Sequence, residues 1–259
     1  MTRSRALAGI SWIVLLFLFL PLILILIVSF AEAPNLAFPP KAWSLHWYAN
    51  IFQTGQFIGG FWLTCIVAFA SSAIVLLVAV PGAYALTRGN FAGQGLIEAL
   101  IMLPIVVPEV VIGISALSLL AAVRLDVPPY SLVGLHCILI LPFVYKIVST
   151  SIGELDREIE DAAVMLGASR FHAFFHVTLP LMARGIVVAF IFGFATSFQN
   201  FTATLFLVKS QVTLPIAIFN YIRTQSDPTI AALSSALTVL LFLAILLADR
   251  FIGVEEIVK

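Results

Sequence analysis

Glu160-Asp161-Ala162-Ala163-Val164-Met165-Leu166-Gly167, followed ten residues later by Val177-Thr178-Leu179-Pro180, is the longest polar interruption of an otherwise apolar chain. The segment before it, 154–159, contains the acidic residues Glu154, Asp156 and Glu158, and the first turns of a helix favour negative charge. Gly167 supplies the left-handed residue that ends a helix, Ser169 can cap a second helix, and Pro180 is expected to stop that one. The stretch predicts a helix-turn-helix. Its first helix has one face of apolar and small residues, namely Leu155, Ile159, Ala162, Ala163 and Leu166.

The composition is that of an integral membrane protein. Of the 259 residues, 62% are hydrophobic and 10% are charged, and the mean hydropathy is +1.14. Soluble domains carry about 25% charged residues. The formal net charge is zero, so nothing in the charge favours nucleic acid as a partner. Cys65 and Cys137 lie in apolar segments and are expected to be buried, reduced thiols.

The sequence contains none of the common nucleotide-binding or hydrolase motifs. Gly-x4-Gly-Lys-Ser/Thr, His-Glu-x-x-His and Gly-x-Ser-x-Gly are all absent from it. We therefore expect a chain that binds no cofactor, catalyses no reaction and takes its energy from a partner. His172 and His176 have a spacing that suits a metal, but no third ligand is in reach. We expect them to form the polar face of a helix, and we predict no metal site.

Six apolar segments are each long enough to cross a bilayer, which takes about 20 helical residues. They are residues 10–30, 57–86, 96–123, 130–150, 184–208 and 229–251. The first competes with a signal peptide, because Ala31-Glu32-Ala33 resembles a cleavage site, but its length and the following Pro34 favour a span. We predict an all-α integral membrane protein with six transmembrane helices, forming one domain over 1–259.

The distribution of Lys and Arg predicts the orientation. The side with both termini and the 151–182 loop has nine of them, against four on the opposite side. Positive charge accumulates in cytoplasmic loops, so both termini and the 151–182 loop are predicted to be cytoplasmic. The nine are Arg3, Arg5, Arg88, Lys146, Arg157, Arg170, Arg184, Arg250 and Lys259, and the four are Lys41, Arg124, Lys209 and Arg223.

Polar groups within the spans are the candidates for a substrate path, because they are costly at membrane depth. Glu109 directly follows Pro108 near the middle of the third span, and Pro104 precedes it by five residues. Prolines in a span are tolerated where the backbone lines a cavity. We expect a discontinuous helix with Glu109 aimed into a pathway. The alternative is a protonated glutamate sealed against a neighbouring helix.

Three further polar residues are either path residues or interhelical hydrogen-bonding groups. Gln199 and Asn200 are placed in the outer half of the fifth span, and Tyr145 in the inner part of the fourth. The fifth span also carries small residues at every fourth position, which let a neighbouring helix approach closely. We expect this ridge to be structural; it consists of Gly185, Ala189, Gly193 and Ser197.

The polar stretch resembles the EAA loop of permease subunits of bacterial ABC importers. That motif is Glu-Ala-Ala, three residues, Gly, nine residues, Ile, one residue, Leu-Pro. Here the matching residues are Asp161, Ala162, Ala163, Gly167, Val177, Leu179 and Pro180, with Asp for Glu and Val for Ile and the spacing intact. The resemblance implies the type I ABC importer permease fold. It also implies that the loop, about 151–182, is the coupling helix that docks on an ATPase subunit.

The resemblance also implies partners and a substrate class. The partners are a second permease subunit, two ATPase subunits that bind ATP and Mg, and a periplasmic solute-binding protein. The segments around Pro108-Glu109 and Thr213-Leu214-Pro215 are similar to spermidine/putrescine permeases of the PotC-like family, where a carboxylate at the Glu109 position suits a cationic amine. That subgroup usually has an acid in the fifth span where this chain has Gln199-Asn200. A monoamine, an amino-acid derivative or another small organic solute therefore stays open.

A secondary transporter driven by an ion gradient is the rival class. It predicts an inverted internal repeat and paired intramembrane ion ligands, and neither is visible in the sequence. An intramembrane enzyme lacks a catalytic constellation. The sequence therefore favours an inner-membrane permease subunit of an ATP-driven importer.

Overall fold

The computed structural model describes residues 2–34, 38–125, 129–208 and 212–252. Within these ranges the chain forms helices, together with an isolated bridge between Ala31 and Trp43. The predicted all-α class is therefore confirmed. In chain order the helices are α1 Thr2–Val28, α2 His46–Gln53, α3 Gly55–Arg88, α4 Gln94–Val106, α5 Glu109–Ala122, α6 Pro129–Glu154, α7 Arg157–Met165, α8 Arg170–Ala173, a π-helical turn Phe174–Thr178, α9 Leu179–Leu181, α10 Ala183–Phe198, a 3-10 turn Thr204–Phe206, α11 Leu214–Thr224 and α12 Thr229–Ile252.

Every predicted span corresponds to a described helix or to a bent pair of helices. Helices α1, α3 and α6 are each long and apolar enough to cross a membrane. The third predicted span is a bent pair, α4 with α5, and the fifth, 184–208, corresponds to α10, which ends at Phe198. The sixth lies in α12, whose apolar described part is Thr229–Leu243. Of the charged residues used to predict the orientation, Lys209 and Lys259 lie outside the described residues.

Two short helices, α2 and α11, were not predicted. Helix α2 lies between the first two predicted spans, 10–30 and 57–86. Trp47 and Ile51 are buried, and the Trp47 indole N–H donates to the Ala31 carbonyl at 2.6 Å. Eight residues are too few to form a stable helix alone, so tertiary contacts such as these hold it.

The described chain divides into two compact units. The first contains the residues up to Ile58 and those from Ala217 onward. In it, α12 packs against α1 and α2. Asn50 fastens α2 by donating through its amide to Thr229 Oγ1 at 2.9 Å. Thr229 also lies 3.1 Å from the Tyr221 hydroxyl, which donates to Asp227 at 2.8 Å.

The second unit, Gly59–Ile216, contains the candidate site residues. Its core forms where α3, α6 and α10 pack together. The predicted structural role of the small-residue ridge is confirmed, because a Cβ at Gly193 would lie 2.9 Å from Val144 and one at Gly185 would collide with Ser151. Core residues from the three helices include Val75, Ala79, Ala83, Ile140, Val144, Val148, Ile152 and Ala189.

Candidate functional site

The third predicted span is broken at Val107-Pro108. The residue before a proline avoids the helical region, and Val107 is extended with ψ 128°. Pro108 is extended as well, with ψ 135°, and α4 and α5 meet at 102°. Pro104 was also expected to break the helix, which is wrong, because α4 continues through it. A single proline removes one backbone donor, which bends a helix without having to end it.

Glu109 is the first residue of α5, and it is exposed at the surface of its unit. A carboxylate at a helix N-terminus is stabilised by the helix dipole. The Asn200 amide donates to Glu109 Oε2 at 3.0 Å. The structure therefore brings together Pro108, Glu109 and Asn200 of the predicted path residues, and it leaves the carboxylate open on its other side.

The sequence predicted Gln199 and Asn200 to lie in the outer half of the fifth span. In the structure both follow the end of its helix. Helix α10 ends at Phe198, and Gln199 is its exposed C-cap residue. Asn200 follows in a loop because its side-chain oxygen accepts from the backbone N–H of Thr204 at 3.3 Å and from the Thr204 hydroxyl at 2.9 Å. Asn side chains that bond nearby backbone in this way compete with a continuing helix.

Gly113 makes the Glu109–Asn200 contact possible and was missed in the sequence. A Cβ at this position of α5 would lie 2.7 Å from the Ala203 carbonyl oxygen and 2.8 Å from Phe206 Cδ2. Glycine therefore lets α5 lie against the 3-10 turn that follows Asn200. An isolated glycine in a helix pattern is a signal of close approach that sequence reasoning could have used.

Tyr145 is not part of this group. It is buried in the core of the second unit. Within the described residues it makes no hydrogen bond to Glu109 or Asn200.

The 151–182 loop has the predicted helix-turn-helix form, with one correction. Asp156 caps α7 by accepting from the Glu158 N–H, Gly167 is left-handed with φ +99°, and Ser169 caps α8 by accepting from the His172 N–H. Pro180 was expected to stop the second helix, which is wrong. The π-helical turn Phe174–Thr178 precedes it, and the helix continues through α9 to Leu181. The chain then bends by 68° into α10.

Several motif residues of this loop face outward. Asp161, Ala162, Gly167 and Pro180 are exposed, whereas Ala163, Val177 and Leu179 are half-buried. Beside them lies an apolar loop surface, defined here as Ile159, Met165, Leu166 and Phe171, in which Met165 and Leu166 are 88% and 90% exposed. Large exposed apolar side chains grouped in this way mark an interaction surface.

Glu160 is a functional candidate that the sequence analysis did not single out. Only 5% of it is exposed. It accepts hydrogen bonds from the Tyr84 hydroxyl of α3 and from the Thr178 hydroxyl at 3.1 Å. The Tyr84 ring packs on Phe174 at 4.7 Å between centroids. We call Glu160, Tyr84 and Thr178 the loop clamp, because these bonds fasten both arms of the loop to α3.

The described residues contain no group of three or more His, Cys, Asp or Glu that could hold a metal. His172 and His176 stack on each other with ring centroids 3.9 Å apart, and both are exposed. Cys65 and Cys137 are free and half-buried, so the expectation of full burial is wrong.

Residues 77–254, more than half of the chain, match the protein family described as binding-protein-dependent transport system inner membrane component. The chain belongs to this family. It is 27% identical to the putrescine transport system permease protein PotI of Escherichia coli (strain K12) over 227 residues, which are 85% of this chain and 80% of PotI. It is 32% identical to the molybdenum transport system permease protein ModB of Haemophilus influenzae over 210 residues, 74% of this chain and 91% of ModB.

A solved structure extends this family assignment to the fold. The crystal structure of a bacterial ABC transporter involved in the import of the acidic polysaccharide alginate matches this binding-protein-dependent permease with a TM-score of 0.71. The match covers 97% of this chain and 95% of that one at 15% identity. The fold is the type I ABC importer permease fold, and the chain is a permease subunit of an ABC importer. The resemblance to permease subunits of bacterial ABC importers is thereby confirmed.

Proposed function

We propose that this permease forms, together with a second permease subunit, the membrane path for a small amine-containing solute, a polyamine or a related molecule. The observation that carries the proposal is the Glu109 carboxylate, exposed at the break between α4 and α5 and held by Asn200. An ammonium group passing this point would find a carboxylate whose cost of desolvation it offsets.

The relatives support the amine class without deciding it. PotI is named for putrescine, which carries amino groups, whereas ModB is named for molybdenum. Gln199 and Asn200 add no negative charge beside Glu109, so one carboxylate serves a monoamine or an amino-acid derivative as well as a polyamine. A path for another small solute, without an ammonium group, is the alternative.

We infer that the 151–182 loop transmits the ATPase movement. The supporting observation is the exposed apolar loop surface next to Asp161, Ala162 and Gly167, together with the clamp that fastens the loop to α3. ATP and Mg would be bound by two ATPase subunits docked there, and a periplasmic binding protein would deliver the solute. The loop and both termini would lie in the cytoplasm, and the chain would cross the bacterial inner membrane several times.

The test uses the importer purified through a tag on this chain, with its own partners, in proteoliposomes. We expect uptake of radiolabelled putrescine to be competed by excess unlabelled putrescine or γ-aminobutyrate and not by molybdate. Glu109→Gln keeps the shape and removes the charge, so it should reduce uptake by at least tenfold while basal ATP hydrolysis is preserved. Glu32→Gln, an exposed acid outside the spans, is the control. Full uptake by Glu109→Gln at equal expression would overturn the proposal, as would competition by molybdate alone.

A further inference from the structure

A line of hydrogen bonds leads from Glu109 into the interior of the second unit. Asn200 donates to Glu109 and accepts from the Thr204 hydroxyl, as described above. Thr204 Oγ1 lies 2.9 Å from His136 Nε2, and His136 Nδ1 lies 2.6 Å from Ser197 Oγ. The line thus connects an exposed carboxylate at the start of α5 to side chains on α6 and α10.

The donors and acceptors along this line are determined by one backbone group. The Thr204 backbone N–H can only donate, so the Asn200 atom facing it is the oxygen, and the Asn200 NH₂ must point at Glu109. The Thr204 hydroxyl donates its single hydrogen to that oxygen, so toward His136 it can only accept, from Nε2–H. A neutral His136 then accepts at Nδ1 from the Ser197 hydroxyl. One consistent arrangement satisfies every group.

Burial makes this arrangement rigid. His136 is 2% exposed, Thr204 0%, Ser197 1% and Asn200 8%, whereas Glu109 is exposed. A buried polar group that loses its partner is left desolvated without a compensating hydrogen bond. None of these four inner residues can therefore reorient alone. Hydrogen bonds that served only to hold the helices together would not need to end on an exposed carboxylate. Here the line of buried hydrogen-bonded side chains ends on one exposed group, the Glu109 carboxylate.

We propose that His136 and Thr204 are positioning residues of the substrate path. They hold Asn200 with its amide N–H toward Glu109, so that one carboxylate oxygen is fixed and the other is presented to the ammonium group of the solute. Without the Thr204 hydroxyl only the Thr204 backbone N–H, at 3.3 Å, still holds the Asn200 oxygen, so the amide N–H is held toward Glu109 less firmly. The proposal rests on the proposed function of Glu109.

A double-mutant cycle tests this, measured as the KM of radiolabelled putrescine uptake in proteoliposomes containing the whole importer. Thr204→Val should raise KM about three- to tenfold, the range expected for one lost hydrogen bond. Thr204→Ser retains the hydroxyl and should match the wild type. Glu109→Asp keeps the charge but shortens the side chain out of reach of Asn200, so in that background Thr204→Val should change KM less than twofold.

A second pair of variants covers the case in which Thr204→Val fails to assemble. The amide of His136→Gln can replace Nε2–H, whereas that of His136→Asn replaces Nδ1 and leaves Thr204 without its donor. His136→Asn should therefore raise KM and His136→Gln should not. Thermal unfolding of each purified importer, followed by intrinsic fluorescence, monitors the fold.

The possible outcomes separate the two proposals. An equal effect of Thr204→Val with Glu and with Asp at position 109, an unchanged KM, or a loss of thermal stability with KM unchanged would each assign the line a purely structural role. His136→Gln and His136→Asn behaving alike would do the same. Each of these leaves the role of Glu109 intact provided that Glu109→Gln reduces uptake by at least tenfold. Full uptake by Glu109→Gln would remove both proposals.

Discussion

Two glutamates of the same unit, Glu160 and Glu109, are held in opposite ways. Glu160 is 5% exposed and accepts from two hydroxyls, on α3 and on the turn before α9. Glu109 is exposed at a helix N-terminus and accepts from the single amide of Asn200. Glu109 directly follows a bend of 102° in the chain, and Thr178, a partner of Glu160, precedes a bend of 68° after Leu181.

The difference indicates what each carboxylate can do. A buried carboxylate with a fixed donor on each oxygen is not accessible to a passing ligand, but it links the segments that supply those donors. A carboxylate with one fixed donor keeps a free oxygen and is still oriented. We therefore propose that Glu160 serves mechanical coupling and that Glu109 binds the solute.

The largest effect is expected from Glu160→Ala. It leaves the Tyr84 and Thr178 hydroxyls without their acceptor and opens a space under the loop, at a cost of about 1–3 kcal/mol. Uptake in proteoliposomes should fall by more than tenfold while ATP hydrolysis continues. Glu160→Gln should retain much of the uptake, because hydroxyls can also accept from an amide. The exposed Glu158→Gln on the same helix is the control, and equal uptake by Glu160→Ala and Glu158→Gln would remove the clamp from the mechanism.

Gly167→Val tests the turn of the same loop. Gly167 has φ +99° with open space around it, so a side chain there meets backbone strain and no clash. Valine in this conformation would destabilise the turn by about 1–2 kcal/mol and shift it, whereas asparagine adopts the left-handed region more readily. We expect Gly167→Val to uncouple ATP hydrolysis from uptake and Gly167→Asn to remain largely coupled. Wild-type coupling in Gly167→Val would show that the turn geometry is unimportant.

Gly113→Ala probes the Glu109 side of the comparison. The added Cβ collides with the Ala203 carbonyl and should move α5 away from Asn200, at an overpacking cost of about 1–3 kcal/mol. Uptake should fall severalfold with basal ATP hydrolysis unchanged, and the unfolding temperature should drop. Gly95→Ala, where a Cβ meets nothing within 4 Å, is the matched control in α4. Equal behaviour of the two alanine variants would contradict the close packing.

The smallest functional effect is expected from single cysteines that locate the two glutamates relative to the membrane. They are placed at Gln56, Asn90 and Ser169 in a chain whose Cys65 and Cys137 are replaced by alanine. All three positions are exposed, so uptake should stay near wild type for the Gln56 and Asn90 positions and fall modestly for Ser169, whose hydroxyl caps α8. An impermeant maleimide should label the Gln56 position in intact cells, and the Asn90 and Ser169 positions only after lysis. The reverse pattern would put the clamp on the periplasmic side and contradict its coupling role.

Local chemistry made parts of both regions predictable. Gly167 and Ser169 specify a turn and a cap through their own backbone and hydroxyl, and Pro108 specifies a break through the residue before it. The Glu109–Asn200 contact joins residues 91 positions apart, and Glu160–Tyr84 joins residues 76 apart. Such pairings follow from tertiary packing, for example at Gly113, and no local pattern encodes them. The end of α10 was misplaced because apolar residues continue beyond it, while Asn200 satisfies the next turn and ends the helix.

The proposal that Glu160 serves coupling and Glu109 binds the solute is tested most directly by one ratio. This is the number of ATP molecules hydrolysed per putrescine imported, measured in one proteoliposome preparation. Glu109→Gln should lower uptake and substrate-stimulated hydrolysis together, so that the ratio for the remaining transport, after subtraction of basal hydrolysis, stays at the wild-type value. The double variant Tyr84→Phe with Thr178→Val, which strips Glu160 of both donors, should raise the ratio severalfold. A raised ratio in Glu109→Gln, or an unchanged ratio in the clamp variant with normal uptake, would contradict the assignment of the two carboxylates.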